Sequence, residues 1–299
     1  MILTIGNSGS YEVEAFSEVV RCLENRGTTA LLFKQDRCLE DNSLLFEVVD
    51  GRPIFRVVID GKDYDVDEFT GIWYLKPHLP RELLSHEMVE YRPFIHTQFH
   101  ALRKALWAVF RNKLWVSDPW AVDMAESKIY QLFLAHQVGF SIPETVITSD
   151  PEQVRRFYQR HCGNIVVKIV ATSPILDHVI ATNRVSEEDM KFIETVREAP
   201  AIFQELVPKA YELRITVVRR EIFATKIYSQ DDEETSLDWR RKPKLNDFDV
   251  RMEQVTLPTT IENQIHRLLS LLGLRFGCID MIVTPEGKYV FLEINPNGH

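Results

Sequence analysis

Two apolar runs near the C-terminus, Cys278-Ile-Asp-Met-Ile-Val283 and Tyr289-Val-Phe-Leu-Glu-Ile294, each carry one carboxylate in an otherwise uncharged segment. Their length and their β-branched and aromatic content predict strands, and Thr284-Pro-Glu-Gly-Lys288 between them predicts a tight turn, so the pair is an antiparallel hairpin. Antiparallel pairing sets Asp280 opposite Leu292 or Glu293. Glu293 and Asn295 are two apart and share a face of their strand, about 6.5–7 Å apart along it. Asp280, Glu293 and Asn295 therefore converge. Two carboxylates and an amide oxygen on adjacent strands describe a hard-cation site, where Mg2+ keeps waters and shares phosphate oxygens with a nucleotide. In the competing reading the two acids cap strand ends or pair with nearby cations. Charges set in runs this apolar are costly unless paired or metal-bound, which favours the cation site.

The hairpin closes a chain of 299 residues, enough for two domains or for one large domain in lobes. Hydrophobic residues make up 45% and charged residues 26%, which excludes a disordered or low-complexity protein and predicts a soluble globular one. The formal net charge of −9 repels polyanions, so any phosphate binding must be local. Cys22, Cys38, Cys162 and Cys278 have no CxxC spacing, which predicts buried free thiols in a reducing cytoplasm. No apolar run reaches the roughly 18 residues of a membrane span, and no basic region precedes an apolar stretch at the N-terminus. The expectation is a cytoplasmic protein with no membrane or nucleic-acid partner.

The N-terminal part opens as βαβ: a strand over Met1–Ile5, a helix ending near Gly27, and a strand over Thr29–Phe33. Gly6 and Gly9 fall short of GxGxxG, so a dinucleotide site there is disfavoured. Asp50-Gly51 and Asp60-Gly61 separate short β-branched or aromatic runs and predict an antiparallel meander. Ile72–Leu75 reads as a further strand. A helical pattern over 82–111 places Arg92, His96, His100, Arg103 and Lys104 near one face, read as a solvated or partner-facing basic face in preference to a His-based metal site. Ser117-Asp-Pro-Trp120 marks the first domain boundary. Beyond it, Asp123-x-x-Glu126 and Thr259-x-x-Glu262 read as capping boxes, Asp150-Pro151 as a helix start, and Gly139, Gly163 and Gly273 as helix ends. Strands are expected over 165–170, 201–207, 213–218, 222–227, 278–283 and 289–294, and the polar stretch 229–249 reads as a long functional loop. The predicted class is α/β with antiparallel hairpins.

GxxxxGK[ST], GxSxG and HExxH are absent, and His86-Glu-Met-Val-Glu90 matches the last only in part. Asp280 followed by Phe291-Leu-Glu-Ile-Asn-Pro-Asn-Gly298 resembles the metal-binding end of the ATP-grasp fold, whose members couple ATP cleavage to carboxylate activation. The upstream elements follow in the same order. Lys128 and Lys168 resemble the two lysines that hold ATP phosphates, and Gln204-Glu205-Leu206-Val207 resembles the adenine-binding hinge. Glu212 sits where the ribose-binding acid falls, and Arg214 and Arg240 resemble the cations around the transferred phosphoryl group. The resemblance covers roughly 120–298. It implies an N-terminal pre-ATP-grasp-like domain over 1–120, a central subdomain over 121–200 and a C-terminal subdomain with the metal site over 201–299, with ATP and Mg2+ as cofactors.

Within that fold, Ile72-Trp-Tyr-Leu-Lys-Pro77, Asp238-Trp-Arg240 and Asn295-Pro-Asn-Gly298 are similar to the microviridin-type (graspetide) peptide maturases, relatives of the ribosomal-protein glutamate ligases. This implies a macrocyclase that activates Asp or Glu side chains of a ribosomal precursor peptide as acyl phosphates and joins them to Ser or Thr as ω-esters or to Lys as ω-amides. The partner is then a precursor with a leader and an acidic core, met locally by Arg214, Arg240, Arg241, Lys242 and Lys244, and the leader site is assigned to 174–182 and the helix from Ser186. A homodimer is also implied. Two departures are visible: Ala171–Ala181 contains no glycine where many ATP-grasp proteins carry a glycine-rich flap, and the sequence stops at His299 where relatives continue through a Gln-Trp pair into a helix. The competing functions are an ATP-grasp ligase adding a free amino acid to a carboxylate, a non-catalytic nucleotide-binding regulatory module, and an interaction scaffold built on the basic helix face.

Overall fold

A computed structural model describes residues 1–38, 40–75, 90–171, 182–241 and 250–298. Lys76-Pro77, the His86–Glu90 motif up to residue 89, the flap region with the leader assignment over 174–181, and Lys242 and Lys244 lie outside the described residues. The chain divides into two compact units, Met1–Trp120 and Ala121–His299.

The first unit begins with the expected βαβ: β1 (Ile2–Gly6), α1 (Ser10–Glu24) and β2 (Ala30–Lys34), with β1 and β2 parallel. The meander follows as β3 (Ser43–Val49), β4 (Arg52–Ile59) and β5 (Lys62–Asp65). Its two turns put Asp50 and Gly51 at φ 51° and 74°, and Asp60 and Gly61 at 49° and 73°. Two successive left-handed residues form the turn that matches strand twist, which is why Asp-Gly carries the hairpin signal. β6 (Gly71–Tyr74), α2 (Arg92–Val109) and β7 (Leu114–Val116) complete a parallel sheet of order β2-β1-β6-β7. Leu3, Ile5, Ile72, Leu106 and Phe110 are almost wholly buried. At about 1.5–3 kcal/mol for each such side chain, their burial contributes much of the unit's stability. On α2, His96 and His100 stack at 6.2 Å, and Arg103 and Lys104 lie over the rings of Trp107 and Trp120. Part of the basic face is thus spent on aromatic rings.

The second unit holds two sheets. α3 (Pro119–Ala125) spans the boundary and α4 (Lys128–Gln137) follows; β8 (Thr145–Thr148), α5 (Pro151–Arg160), β9 (Ile165–Ile169), β10 (Asn183–Arg184) and β11 (Ala201–Glu205) then build an antiparallel sheet of order β10-β9-β11-β8. Strand alternation divides its two faces. Ile165 and Phe203 bury against Val154 and Phe157 of α5 and against Ile193 and Val196, whereas Val166, Lys168 and Gln204 take the opposite parity. β12 (Tyr211–Val218), β13 (Glu221–Ile227), α6 (Glu233–Ser236), β14 (Met252–Val255), α7 (Thr259–Leu272), β15 (Phe276–Val283) and β16 (Tyr289–Asn295) give a five-stranded antiparallel sheet, order β14-β13-β12-β15-β16. α7 buries Ile265, Leu268, Leu269 and Leu272, the spacing of one helical face.

Several expectations are corrected. Asp123 lies inside α3, and the cap of α4 is Ser127, whose hydroxyl accepts from the Tyr130 N–H; α7 starts after Pro258 with no side-chain cap. Short polar residues three positions before a Glu did not identify the helix start here, because a closer Ser in one case and a proline in the other set it. Of the helix expected over 82–111, residues 82–89 lie outside the described residues, and α2 is seen over Arg92–Val109. Residues 229–241 are not a plain loop: they form α6 between two 3-10 turns, pinned by the buried Thr235 hydroxyl donating to the Ser229 and Asp232 carbonyls. Among the cysteines only Cys278 is buried; Cys22 and Cys162 are exposed, because they sit on the outer face of α1 and in the turn after α5. Among the described residues no helix is long and apolar enough to cross a membrane.

Candidate active site

The register of β15 and β16 resolves the ambiguity left by the sequence. Asp280 pairs with Glu293, Met281 with Phe291, and the shift between them leaves Leu292 as the extra residue of a β-bulge. A bulge lets two successive residues project to one side. Leu292 and Glu293 consequently both line one cavity, of about 310 Å3, together with Asp280, Ile282 and Asn295. That volume is at the lower end of the roughly 300–1,000 Å3 of ligand clefts. Lys128, Lys168, Gln204, Glu205, Leu206, Val207, Glu212 and Arg240 line the same cavity. Arg214 does not; it is paired with Asp280 in the β12–β15 ladder and lies beside it on the same face of the sheet.

β12 and β15 give the cleft two ends. Glu212 is paired with Ile282, and Arg214 with Asp280, so the ends are one pleat repeat apart, about 6.5–7 Å. At the first end Lys209 and Glu212 form a buried ion pair of 2.6 Å, their side chains 8% and 10% exposed. Gln204 accepts from Lys168 Nζ at 2.8 Å and donates to Thr145 Oγ1 at 3.0 Å. In the hinge, the Glu205 and Leu206 amides donate to the Glu144 and Asn164 carbonyls, and the Glu205 carboxylate accepts from the Glu144 N–H at 3.0 Å. The Val207 N–H has no such partner among the described residues.

The second end is dense in charge. Arg214 holds Asp280 through both oxygens at 3.0 and 3.1 Å and donates to the Gly298 carbonyl at 3.0 Å. Gly298, at φ 86°, has a Cα that faces the Phe276 ring so closely that a Cβ would meet it at 3.0 Å, a position for glycine alone. Asn295 Nδ2 donates to Asp280 at 3.3 Å, leaving its oxygen uncommitted. Lys128 pairs with Glu293, and Arg240 reaches both acids, 3.8 Å from Asp280 and 3.7 Å from Glu293. Lys128 is held there by Gln131 on the next turn of α4, which accepts from the Ile294 N–H and donates to the Ile294 carbonyl. Asp238, itself buried, caps the Arg240 N–H and accepts from its guanidinium at 3.0 Å.

Burial and charge shift these groups in different directions. Burial pulls the Lys168 ammonium down to about 8; Glu293 opposes this, while Lys128 and Arg240 add to it. Glu293 is also penalised by burial, but Lys128, Lys168 and Arg240 outweigh that and hold it below its ordinary value. Asp280 goes the other way. Its complete burial, with Glu293 alongside, keeps it raised despite Arg214 and Arg240. A carboxylate held above its ordinary value between two arginines still has room for positive charge, and with Glu293 and the free Asn295 oxygen it forms a donor set that fits a hard divalent cation. No cluster of three His, Cys, Asp or Glu side chains placed for a metal occurs among the described residues; the set here is two carboxylates and an amide.

The structure therefore brings the predicted residues to one cleft, apart from Arg214, which reaches it through its contact with Asp280. The sequence reading missed Gln131, Lys209 and the anchoring role of Asp238. A glutamine among the apolar residues of α4 and a lysine three before Glu212 were the available signals.

No family model matches the sequence, and no curated protein does. Solved structures do. The RiPP-associated ATP-grasp ligase of Chryseobacterium gregarium, in complex with ADP and a leader and core peptide, superposes with TM-score 0.83 at 28% identity, covering 100% of this chain and 89% of that one. The macrocyclase MdnC of Microcystis aeruginosa, bound with precursor peptide MdnA, gives 0.83 at 29% identity, over 100% and 92%. The ATP-grasp ligase PsnB complexed with minimal precursor, Mg and ADP gives 0.75 at 21%, over 100% and 89%, a likeness of fold.

Proposed function

We infer that this chain is an ATP-grasp ligase of the RiPP macrocyclase kind, acting on a ribosomal precursor peptide with ATP and Mg2+. The observation that carries the reading is the cleft: lysines and an arginine gathered around paired carboxylates at one end, and a hydrogen-bonding hinge with an acid at the other. In the reaction, a side-chain carboxylate of the peptide attacks the γ-phosphorus of ATP, releasing ADP and leaving an acyl phosphate. A Ser or Thr hydroxyl or a Lys amine then attacks the acyl carbon, phosphate leaves, and one proton is released as the ester or amide forms. The sum is loss of one water per bond from the peptide.

The roles follow from placement. Lys128 and Lys168 would hold phosphate oxygens, and Arg240, half exposed, held by Asp238 and 3.8 and 3.7 Å from Asp280 and Glu293, would meet the transferred phosphoryl group. Arg214, tied to Asp280 and Gly298, would support that end through Asp280. The hinge from Gln204 to Val207 would take adenine, with the Val207 N–H as donor, and Glu212 the ribose. Asp280, Glu293 and Asn295 would hold Mg2+, which neutralises phosphate charge when bound. Residues 121–200 and 201–299 would be the two lobes around the nucleotide, with 1–120 as the N-terminal domain; the two sheets support two lobes, although β11 (Ala201–Glu205) pairs in the first sheet and so moves the division past the hinge. An acidic core suits the cation excess of the second end. A cytoplasmic setting suits the free thiols. For a homodimer the support is the edge strand β3, where Phe46 is 58% and Val48 61% exposed.

The test is intact mass of a candidate precursor, rich in Thr, Ser, Lys, Asp and Glu, after incubation with the protein and Mg-ATP. Loss of whole waters is expected. A mass gain equal to an added amino acid would replace the macrocyclase with a simple amino-acid ligase, and ADP binding with no mass change would leave a regulatory module.

A further inference from the structure

Lys209 belongs to none of the roles above, yet it is one of the most enclosed cations of the cleft. It follows Pro208 at the end of the hinge, and its ammonium donates to Glu212 at 2.6 Å and to the Leu237 carbonyl at 3.0 Å. The third N–H meets no acceptor among the described residues, and the residue lines the cavity. Its two partners lie 25 residues apart in sequence and belong to different ends of the site. Glu212 is the acid of the nucleoside end. Leu237 immediately precedes Asp238, whose carboxylate takes the Arg240 N–H at 3.1 Å and its guanidinium at 3.0 and 3.3 Å. Arg240 in turn faces Asp280 and Glu293. Lys209 also lowers the Asp238 carboxyl together with Arg240, so the charges along this path are mutually felt.

We propose that Lys209 is a positioning residue that couples occupation of the nucleoside end of the cleft to the placement of Arg240 at the phosphate end. The inference rests on the reading of the cleft as an ATP site. A ligand hydroxyl that bonds to Glu212 fixes the carboxylate, and with it the ammonium that holds Leu237. The Thr235 and Gln230 contacts hold the segment up to Ser236, and beyond it the turn over 237–240 is anchored by Asp238 and by this link. By reciprocity, a polyanion that draws Arg240 into place strengthens nucleoside binding by the same factor.

The two ends can be probed separately with adenosine and inorganic tripolyphosphate. In the wild-type protein, saturating adenosine is expected to tighten tripolyphosphate binding by about 10-fold, within the usual range of coupling between two sites. Adenosine alone should also slow hydrogen exchange over residues 229–241. In Lys209→Met both effects vanish, and Lys209→Arg, which keeps the donor, restores most of the coupling. Removing one partner of a buried ion pair can unfold a protein, so the Lys209→Met/Glu212→Gln double variant, which buries no unpaired charge, is measured beside it and should lack coupling as well. Wild-type protein that binds both probes without coupling, or Lys209→Met that retains it, overturns the proposal while leaving the ATP reading intact. Wild-type protein that fails to bind ADP removes the ATP reading, and the proposal with it.

Discussion

The two ends of the cleft are built from the same strands and differ in how they balance charge. At the nucleoside end one lysine meets one glutamate, and the remaining contacts are made by an amide side chain and backbone groups. At the other end Asp280, Glu293 and Asp238 face Arg214, Arg240, Lys128 and Lys168, which leaves the cations one in excess. A balanced, buried pair recognises a neutral hydrogen-bonding group, whereas a cation excess around raised or crowded carboxylates accommodates a polyanion together with a divalent ion. Strand geometry keeps the two functions one pleat repeat apart. On the proposed reading, the difference assigns the chemistry of this site to the cation excess of one end and orientation to the other.

The most severe way to break that contrast is to neutralise both carboxylates. Asp280→Asn with Glu293→Gln removes the anionic ligands for the cation but leaves four cations in place. Mg-dependent turnover should fall by about 1,000-fold or more, since the electrostatic stabilisation at the transferred group is worth several kcal/mol. Tripolyphosphate binding without Mg2+ should persist or tighten, because the competing acids are gone. Titration of tripolyphosphate with and without Mg2+ checks this, and an unchanged Mg2+ effect in the double variant would remove the cation from this end.

Lys168→Met comes next, with an expected loss of about 100-fold in ATP affinity for a buried charge partner. Its pH signature has two opposite slopes. The unfolded lysine keeps its proton up to about 10.5, while the folded one loses it near 8, so between those values the unfolded state binds more protons and stability of the ligand-free protein rises with pH. Phosphate binding needs the ammonium, so affinity should fall as pH passes about 8. Denaturant midpoints and ATP affinities measured from pH 7 to 10 should show both slopes in the wild type and neither contribution in Lys168→Met.

Much of the phosphate end was legible in the sequence, and for a physical reason. A charge inside an apolar strand is expensive, so Asp280, Glu293 and Lys168 stand out against their neighbours, and strand alternation alone brings Glu293 and Asn295 to one face. What alternation could not supply was the bulge at Leu292, which fixes the Asp280–Glu293 pairing and turns two adjacent side chains into the cleft. The nucleoside end was less visible. Lys209, three before Glu212, gives the one hint of their pairing, and its Leu237 partner offers a backbone carbonyl, which no side-chain pattern reports. Residues 229–241 lack apolar periodicity because their order comes from hydroxyl and carboxylate contacts of Thr235, Asp232 and Asp238. The antiparallel meander of the first unit was read from its Asp-Gly turns, where backbone conformation itself dictates the residues.

The smallest expected effect sharpens the contrast most. Glu212→Gln keeps the shape of the side chain and one acceptor oxygen, and loses the charge that balances Lys209. A hydrogen bond to a charged group contributes about 1.5–3 kcal/mol, so adenosine affinity should drop by about 10-fold or somewhat more. Tripolyphosphate, added alone, touches only the other end and should bind the variant as it binds the wild type. Lys128→Met, which removes a cation paired with Glu293 rather than with the hinge, should give the reverse pattern, losing tripolyphosphate and sparing adenosine. Equal losses of both probes in each variant would mean that the cleft recognises its ligand as one undivided surface, and the separation into a balanced end and an unbalanced one would have to be given up.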